Sequence, residues 1–130
     1  MKLIFQGDPI PQKRPKFHRI GNFVSTYDPS SQDKKELQKQ LLGQKIEYYE
    51  EGALEFILKA YMKIPRMSQK KHNQIINTWH CKKPDADNIL KLYQDLLEEV
   101  CYKNDGQIAR HIVEKIYSDN PRVEIEINKL

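Results

Sequence analysis

The sequence predicts an α+β fold: a two-layer domain in which one mixed β-sheet carries two long helices packed on one face. Three observations lead there. Leu54, Phe56, Leu58, Ala60, Met62 and Ile64 recur at every second position, the period of a strand with one buried face. Apolar residues return at helical spacing in two stretches, Leu37 to Tyr49 and Ile89 to Val100. Residues 108–127 alternate again around a turn signal, Ser118-Asp119-Asn120-Pro121.

Leu3 to Gln6 reads as a short strand stopped by Gly7-Asp8-Pro9 and Pro11, since proline removes ladder donors. A basic loop, Lys13 to Arg19, leads through the turn signal Gly21-Asn22 to a second short strand, Phe23 to Tyr27. Ser30 is the expected N-cap of the first helix, with Asp33 three residues on. Leu37, Leu41, Leu42, Ile46 and Tyr49 form its inward face, and Gly52 ends it.

Pro65 closes the strand that follows, and residues 66–84 form a basic, polar connection of a length that is uncommon without a function. The second helix runs from Asp87 to Val100, with Ile89, Tyr93, Leu96 and Val100 as its stripe, and Asn104-Asp105-Gly106 breaks the chain after it. The last two alternating segments are expected to pair with each other as an antiparallel hairpin.

A length of 130 residues suits one domain, 1–130, with one core. The net charge of +4 and pI near 9.0 are a modest sign of polyanion binding. The distribution is more telling, because the basic residues crowd into Lys13 to Arg19 and Lys63 to Lys83. No stretch approaches the ~20 apolar residues that cross a bilayer, and no signal peptide opens the chain. Two cysteines make no disulfide framework, so the expected setting is a reducing cytoplasm, with no membrane and no small-molecule cofactor.

The chemistry concentrates in Lys83-Pro84-Asp85-Ala86-Asp87-Asn88-Ile89-Leu90-Lys91 and then Tyr102-Lys103-Asn104-Asp105-Gly106-Gln107-Ile108. Two aspartates one residue apart, just before a helix, can aim both carboxylates the same way and hold a hard cation. Asp105 would join them if the intervening helix folded back beside the strand beginning at Gln107. Three carboxylates then suit Mg²⁺, which takes oxygen ligands and keeps several waters. Lys82, Lys83, His80, Lys70 and Lys71 could neutralise phosphates on either side of a scissile bond. Phe17 and Trp79 could stack on unpaired bases or wedge into a junction.

Lys91, one helical turn after Asp87, either stabilises charge on the phosphate or simply pairs with Asp87. Capping is the structural alternative for Asp85 or Asp87, and a turn the alternative for Asp105.

The ordered string resembles the RusA family of Holliday junction resolvases, common in prophage regions of bacterial chromosomes. The match is Lys83-Pro84-Asp85-x-Asp87-Asn88-x-x-Lys91, Asp95-Leu96, and Tyr102-x-Asn104-Asp105-x-Gln107-Ile108. Upstream it reaches Lys13-x-Pro15 with Phe17, and Ser68-x-Lys70-Lys71 with His80. The resemblance implies a RusA-like domain acting as a homodimer on four-way DNA junctions. With Mg²⁺, or Mn²⁺ in its place, it would make paired symmetric nicks in DNA recombination and repair.

Carried onto this chain, Asp85, Asp87 and Asp105 would be the catalytic, metal-holding carboxylates, with Lys91 assisting, and Lys13, Arg14 and Lys16 would join the DNA-binding cations. Water would attack the phosphodiester in line and leave 5′-phosphate and 3′-hydroxyl ends. One departure stands out: family members often carry two aspartates before the position of Gly106, whereas here the first is Asn104. A less selective flap or fork nuclease, and an inert junction-binding module, are the competing readings. RNA binding ranks last, since the aromatic sheet motifs of the common RNA modules are missing.

Overall fold

A run of residues that buries every second side chain needs a neighbour on each side, and the run at 54–63 occupies the middle of the sheet. In this computed structural model the described residues are 1–14 and 16–130, without the side chains of 16–18, 20 and 23–26. In chain order the elements are β1 (Lys2–Gln6), β2 (Lys16–Ile20), β3 (Phe23–Tyr27), α1 (Ser31–Lys39), β4 (Leu54–Lys63), α2 (Gln69–Ile75), α3 (Ala86–Leu97), a 3₁₀ turn (Asp105–Gln107), β5 (Ile108–Ser118) and β6 (Arg122–Lys129). β1, β6, β4 and β5 lie side by side in that order, and β2 pairs with β3 in a separate antiparallel ribbon.

The architecture is α+β with a mixed four-stranded sheet. Leu3 and Phe5 of β1, Leu54, Phe56, Leu58 and Ala60 of β4, and Val123, Ile125 and Ile127 of β6 turn inward. They meet Leu37 and Leu41 on one side and Ile89, Leu92, Tyr93, Leu96 and Leu97 of α3 on the other, in one continuous core. The opposite sheet face is polar, laced by pairs such as Lys2–Glu124 at 2.9 Å and Arg110–Glu55 at 2.6 Å. No helix among the described residues is long and apolar enough to cross a membrane.

The expected hairpin between the last two strands does not form. β4 sits between them, parallel to β5 and antiparallel to β6. Parallel pairing requires a long crossover, and residues 64–107 with their helices supply it. The basic connection after Pro65 contains a helix of its own, α2, whose N-cap Ser68 accepts from the Lys71 N–H. The basic loop 13–19 likewise gives way to β2.

The first helix is much shorter than its apolar spacing suggests, ending at Lys39. Gly43 takes a φ of 83°, Leu42 is 82% exposed, and Tyr49 pairs with Tyr102 in an isolated bridge instead. Gln40 and Gln44, just past the helix, turn their amides onto the outer edge of β1. Gln44 exchanges bonds of 2.9 and 2.8 Å with the N–H and C=O of Ile4, and Gln40 does the same with Gln6 at 2.7 and 3.1 Å. Ser30 occupies the cap position, but its hydroxyl accepts from the Lys13 N–H at 2.8 Å rather than from its own helix.

Candidate active site

Asp85 stands at the N-cap of α3 with extended backbone, φ −69° and ψ 145°, and its carbonyl accepts from the Ile89 N–H at 3.2 Å. Its carboxylate makes no capping bond. Asp87 lies in the first turn, and both side chains are exposed without a hydrogen bond or ion pair among the described residues. The helix-capping explanation for this pair therefore accounts for the backbone of one residue and for neither carboxylate. Lys91, one turn on, is exposed and makes no ion pair with Asp87 among the described residues.

The segment that presents Asp85 is braced from the sheet. Lys115 of β5 lies on the inward-facing register with Val113 and Tyr117, and its ammonium donates to the carbonyls of Lys82 at 2.6 Å and Pro84 at 2.8 Å. The Lys83–Pro84 peptide between them is cis. The sequence motifs do not include this lysine. Its signal was a charged residue on the buried side of an alternating strand, where an unpaired ammonium is costly and must find acceptors.

Cations gather at this end of the domain. Gln12 N–H donates to the Asn88 carbonyl at 2.9 Å, which seats the N-terminal basic segment on the first turn of α3. Pro11, Gln12, Arg14, Lys83, Pro84, Asp85 and Asn88 line one cleft. Arg14, Lys82 and Lys83 are exposed, while Lys13 leans toward Asp33 at 3.4 Å. Lys70 and Lys71 are exposed on α2, which is held near the last residues of β5 by His72 Nε2 on Asp119 at 2.7 Å. Trp79 is 69% exposed beside Ile116. The side chains of Lys16 and Phe17, and all of Pro15, lie outside the described residues.

His80 differs from the cation expected of it. Its ring packs on Tyr117 at 4.7 Å, and its buried Nδ1 has no partner among the described residues. Burial, with Lys115 and Lys82 nearby, pushes its pKa below the ordinary 6.5 and so disfavours the charged ring.

Asp105 is at the other end of α3. Its N–H points to Glu98 Oε1 at 3.4 Å, and Glu98 is the C-cap of that helix. The 12 residues of α3 rise ~18 Å between that end and Asp85. The helix does fold back beside the following strand, with Gln94 meeting His111 at 2.8 Å and Pro84 meeting Lys115. That antiparallel course is what carries Asp105 away, so within one chain it does not join the first two aspartates. No group of three or more His, Cys, Asp or Glu residues able to hold a metal gathers among the described residues.

The turn at Asp105 is nonetheless built to leave its carboxylate uncommitted. Asn104 Oδ1 accepts from the Gly106 N–H at 2.8 Å, and Gln107 Oε1 accepts from the Asn104 N–H at 2.9 Å. Asn104 is thus the capping residue, and Asp105 is exposed beside it. Cys101 is buried, its thiol pushed up to about 11 by that burial, and Cys81 is exposed.

Two comparisons bear on this arrangement. Residues 6–128 match the model of the family described as Endodeoxyribonuclease RusA. The chain is also 29% identical over 140 residues to the uncharacterized protein YqaN of Bacillus subtilis (strain 168), covering 100% of this chain and 96% of that protein. A match running through nearly the whole chain, including both aspartate motifs and the basic segments around them, places this protein in the RusA family of endodeoxyribonucleases.

Proposed function

We propose that the protein is a structure-specific endodeoxyribonuclease that resolves Holliday junctions in recombination and repair, as a homodimer and with Mg²⁺ or Mn²⁺ in a cytoplasmic setting. The observation that carries this is the pair of uncommitted carboxylates, Asp85 and Asp87, at the start of a helix and amid exposed cations. A hard cation suits such oxygen donors, yet one chain brings only two of the three carboxylates to this end. Asp105 of a second copy supplies the third, so the donor set fits the ion in the dimer and only partly in the monomer. The ion, when bound, supplies charge stabilisation at the phosphate and a source of nucleophile at neutral pH.

The chain's own residues do the rest. Arg14, Lys82 and Lys83 hold the phosphates beside the scissile bond, and Lys91 opposes charge that develops there. The first-turn N–H groups of α3, left uncapped by Asp85, face the same anion. Lys115 fixes the direction of the Asp85 segment through two carbonyls and is a positioning residue. The exposed Trp79 offers a face for an unpaired base at the branch point. Two-fold pairing of the chains presents two sites with the symmetry of the two strands to be cut.

The test is cleavage of a labelled four-way junction in Mg²⁺ or Mn²⁺, beside flap, fork and linear duplexes, with wild type and Asp87→Asn. Paired nicks confined to the junction and lost in the variant, with junction binding retained, support the reading. Equal cutting of flaps and forks moves the assignment to a broader branched-DNA nuclease. Binding without cleavage by the wild type identifies an inert junction-binding module.

A further inference from the structure

Of the two edges of the four-stranded sheet, one is closed and the other is covered only over its final residues. Gln40 and Gln44 occupy the outer edge of β1. The final residues of β5 are covered by residues 77–80: Asn77 N–H donates to Tyr117 O at 2.9 Å, Tyr117 N–H to Thr78 O at 3.0 Å, and His80 N–H to Lys115 O at 2.9 Å. Those bonds show that the odd-numbered residues at this end of β5 turn their backbone groups outward. The same parity puts the N–H and C=O of His111 and Val113 on the outer edge, where they find no partner among the described residues. An open edge of this length is a template for another strand, and the four-stranded sheet caps β1 and the end of β5 while leaving this stretch bare.

The side chains on that stretch specify what fits. Arg110, Ile112 and Glu114 share the open face of the sheet, and Ile112 is 38% exposed. Antiparallel pairing with an identical strand, about a two-fold axis through Ile112, sets Ile112 against its own copy and Arg110 directly opposite Glu114, twice. The same register lets His111 exchange backbone bonds with Val113 of the second copy. A shift of two residues either way sets Arg110 against an isoleucine and breaks both charge pairs. Arg110 already touches Glu55 through Nε at 2.6 Å, which leaves its terminal guanidinium nitrogens for the second copy.

We infer that the chain dimerises by antiparallel pairing of Arg110 to Glu114 with the same segment of a second copy, in the register centred on Ile112. The result is one continuous sheet of twice the width. The inference deepens the homodimer reading above and rests on it for its consequence. Because the two β5 strands run oppositely, Asp105 of each copy is carried toward the end of its neighbour's strand, where Lys115 holds the Pro84–Asp85 segment.

Ile112→Cys in a Cys81→Ser background tests the register, because directly opposed non-hydrogen-bonded residues lie ~4.5 Å apart at Cα, within disulfide reach. Mild oxidation is expected to give a covalent dimer on a non-reducing gel, whereas Lys59→Cys in the same background, on the same face but in β4, remains monomeric. Sedimentation supplies the second arm. Glu114→Lys is expected to raise the dimer dissociation constant about tenfold by setting like charges opposite each other, and adding Arg110→Glu to restore it to within a few fold.

Wild type that sediments as a monomer at every concentration overturns the inference. So does a dimer that neither cross-links at position 112 nor responds to Glu114→Lys; if that dimer still resolves junctions, the proposed activity survives and only the interface falls. A dimer that cross-links and responds as expected yet cuts no branched DNA supports the interface and removes the activity.

Discussion

The ammonium of Lys115 donates to the carbonyl of Pro84 at 2.8 Å, and so a strand residue sets the direction of the segment that presents Asp85. A second bond to the Lys82 carbonyl makes it a clamp. Lys115→Met removes both bonds and leaves two carbonyls without a donor, at a cost of about 1.5–3 kcal/mol for a bond to a charged group. A carboxylate misplaced by ~1 Å costs up to ~100-fold in rate. The expected outcome is a 10- to 100-fold fall in the junction-cleavage rate constant, roughly by that same misplacement. Binding of the junction changes little, and Lys115→Arg recovers part of the rate. Single-turnover kinetics beside a binding isotherm separate this from simple unfolding, which lowers both.

Asp87 and Asp105 lie at opposite ends of α3, and that separation makes a mixing experiment decisive. Asp87→Asn and Asp105→Asn are each expected to be inactive. Mixed and allowed to exchange subunits, they form heterodimers in which one site carries both substitutions and the other carries none. Nicking of the junction should return, as single nicks rather than paired ones. If every site were built within one chain, each would hold one substitution and the mixture would stay silent.

The strands with strict alternation, and α3 with its uninterrupted stripe, were legible because their signals are local. The pairing of β5 was not. A four-residue turn suggested a hairpin, but the helices between β4 and β5 carried the stronger constraint, since a crossover of that length favours parallel neighbours. The overlong first helix has a similar cause: Leu42 and Ile46 continue the helical spacing past Lys39, where the helix ends, although the core has no place for them. Asp85 and Asp87 were readable for their spacing. Lys115 was hidden because its role depends on which carbonyls the fold brings beneath it, and the distance of Asp105 from the pair depends on the direction of the returning strand.

Asp28 ties the N-terminal segment to α1. Its carboxylate accepts from Lys34 Nζ at 2.8 Å, from the Ser30 N–H at 2.8 Å and from Gln12 Nε2 at 3.0 Å. The Lys34 bond first, and then Ser30, hold its pKa below the ordinary 3.8. A depressed acid stabilises the fold above its unfolded pKa and loses that contribution as pH falls through the folded value. Asp28→Asn should therefore be less stable than wild type at pH 7, and the two should converge as pH drops below 3.8. With 39% of the side chain exposed, solvent screening limits the neutral-pH difference to about 1 kcal/mol. Urea unfolding at a series of pH values reads it directly.

The glutamines on β1 make a prediction of the opposite kind from the open edge of β5. Each amide mimics a neighbouring strand by giving one donor and one acceptor to the same residue, at Ile4 and at Gln6. Replacing both by alanine removes the four bonds to β1, each worth about 0.5–1.5 kcal/mol in a buried setting and less where water competes, so a loss of about 1–3 kcal/mol is expected. The larger effect is on association. With β1 uncovered, the sheet gains a second open edge, and two self-pairing edges on one chain permit growth beyond a closed dimer. Light scattering should show concentration-dependent assembly in Gln40→Ala/Gln44→Ala under conditions where wild type stops at two chains. A variant that is merely less stable, and no more prone to assemble, would mean that these amides tether the end of α1 without guarding the edge.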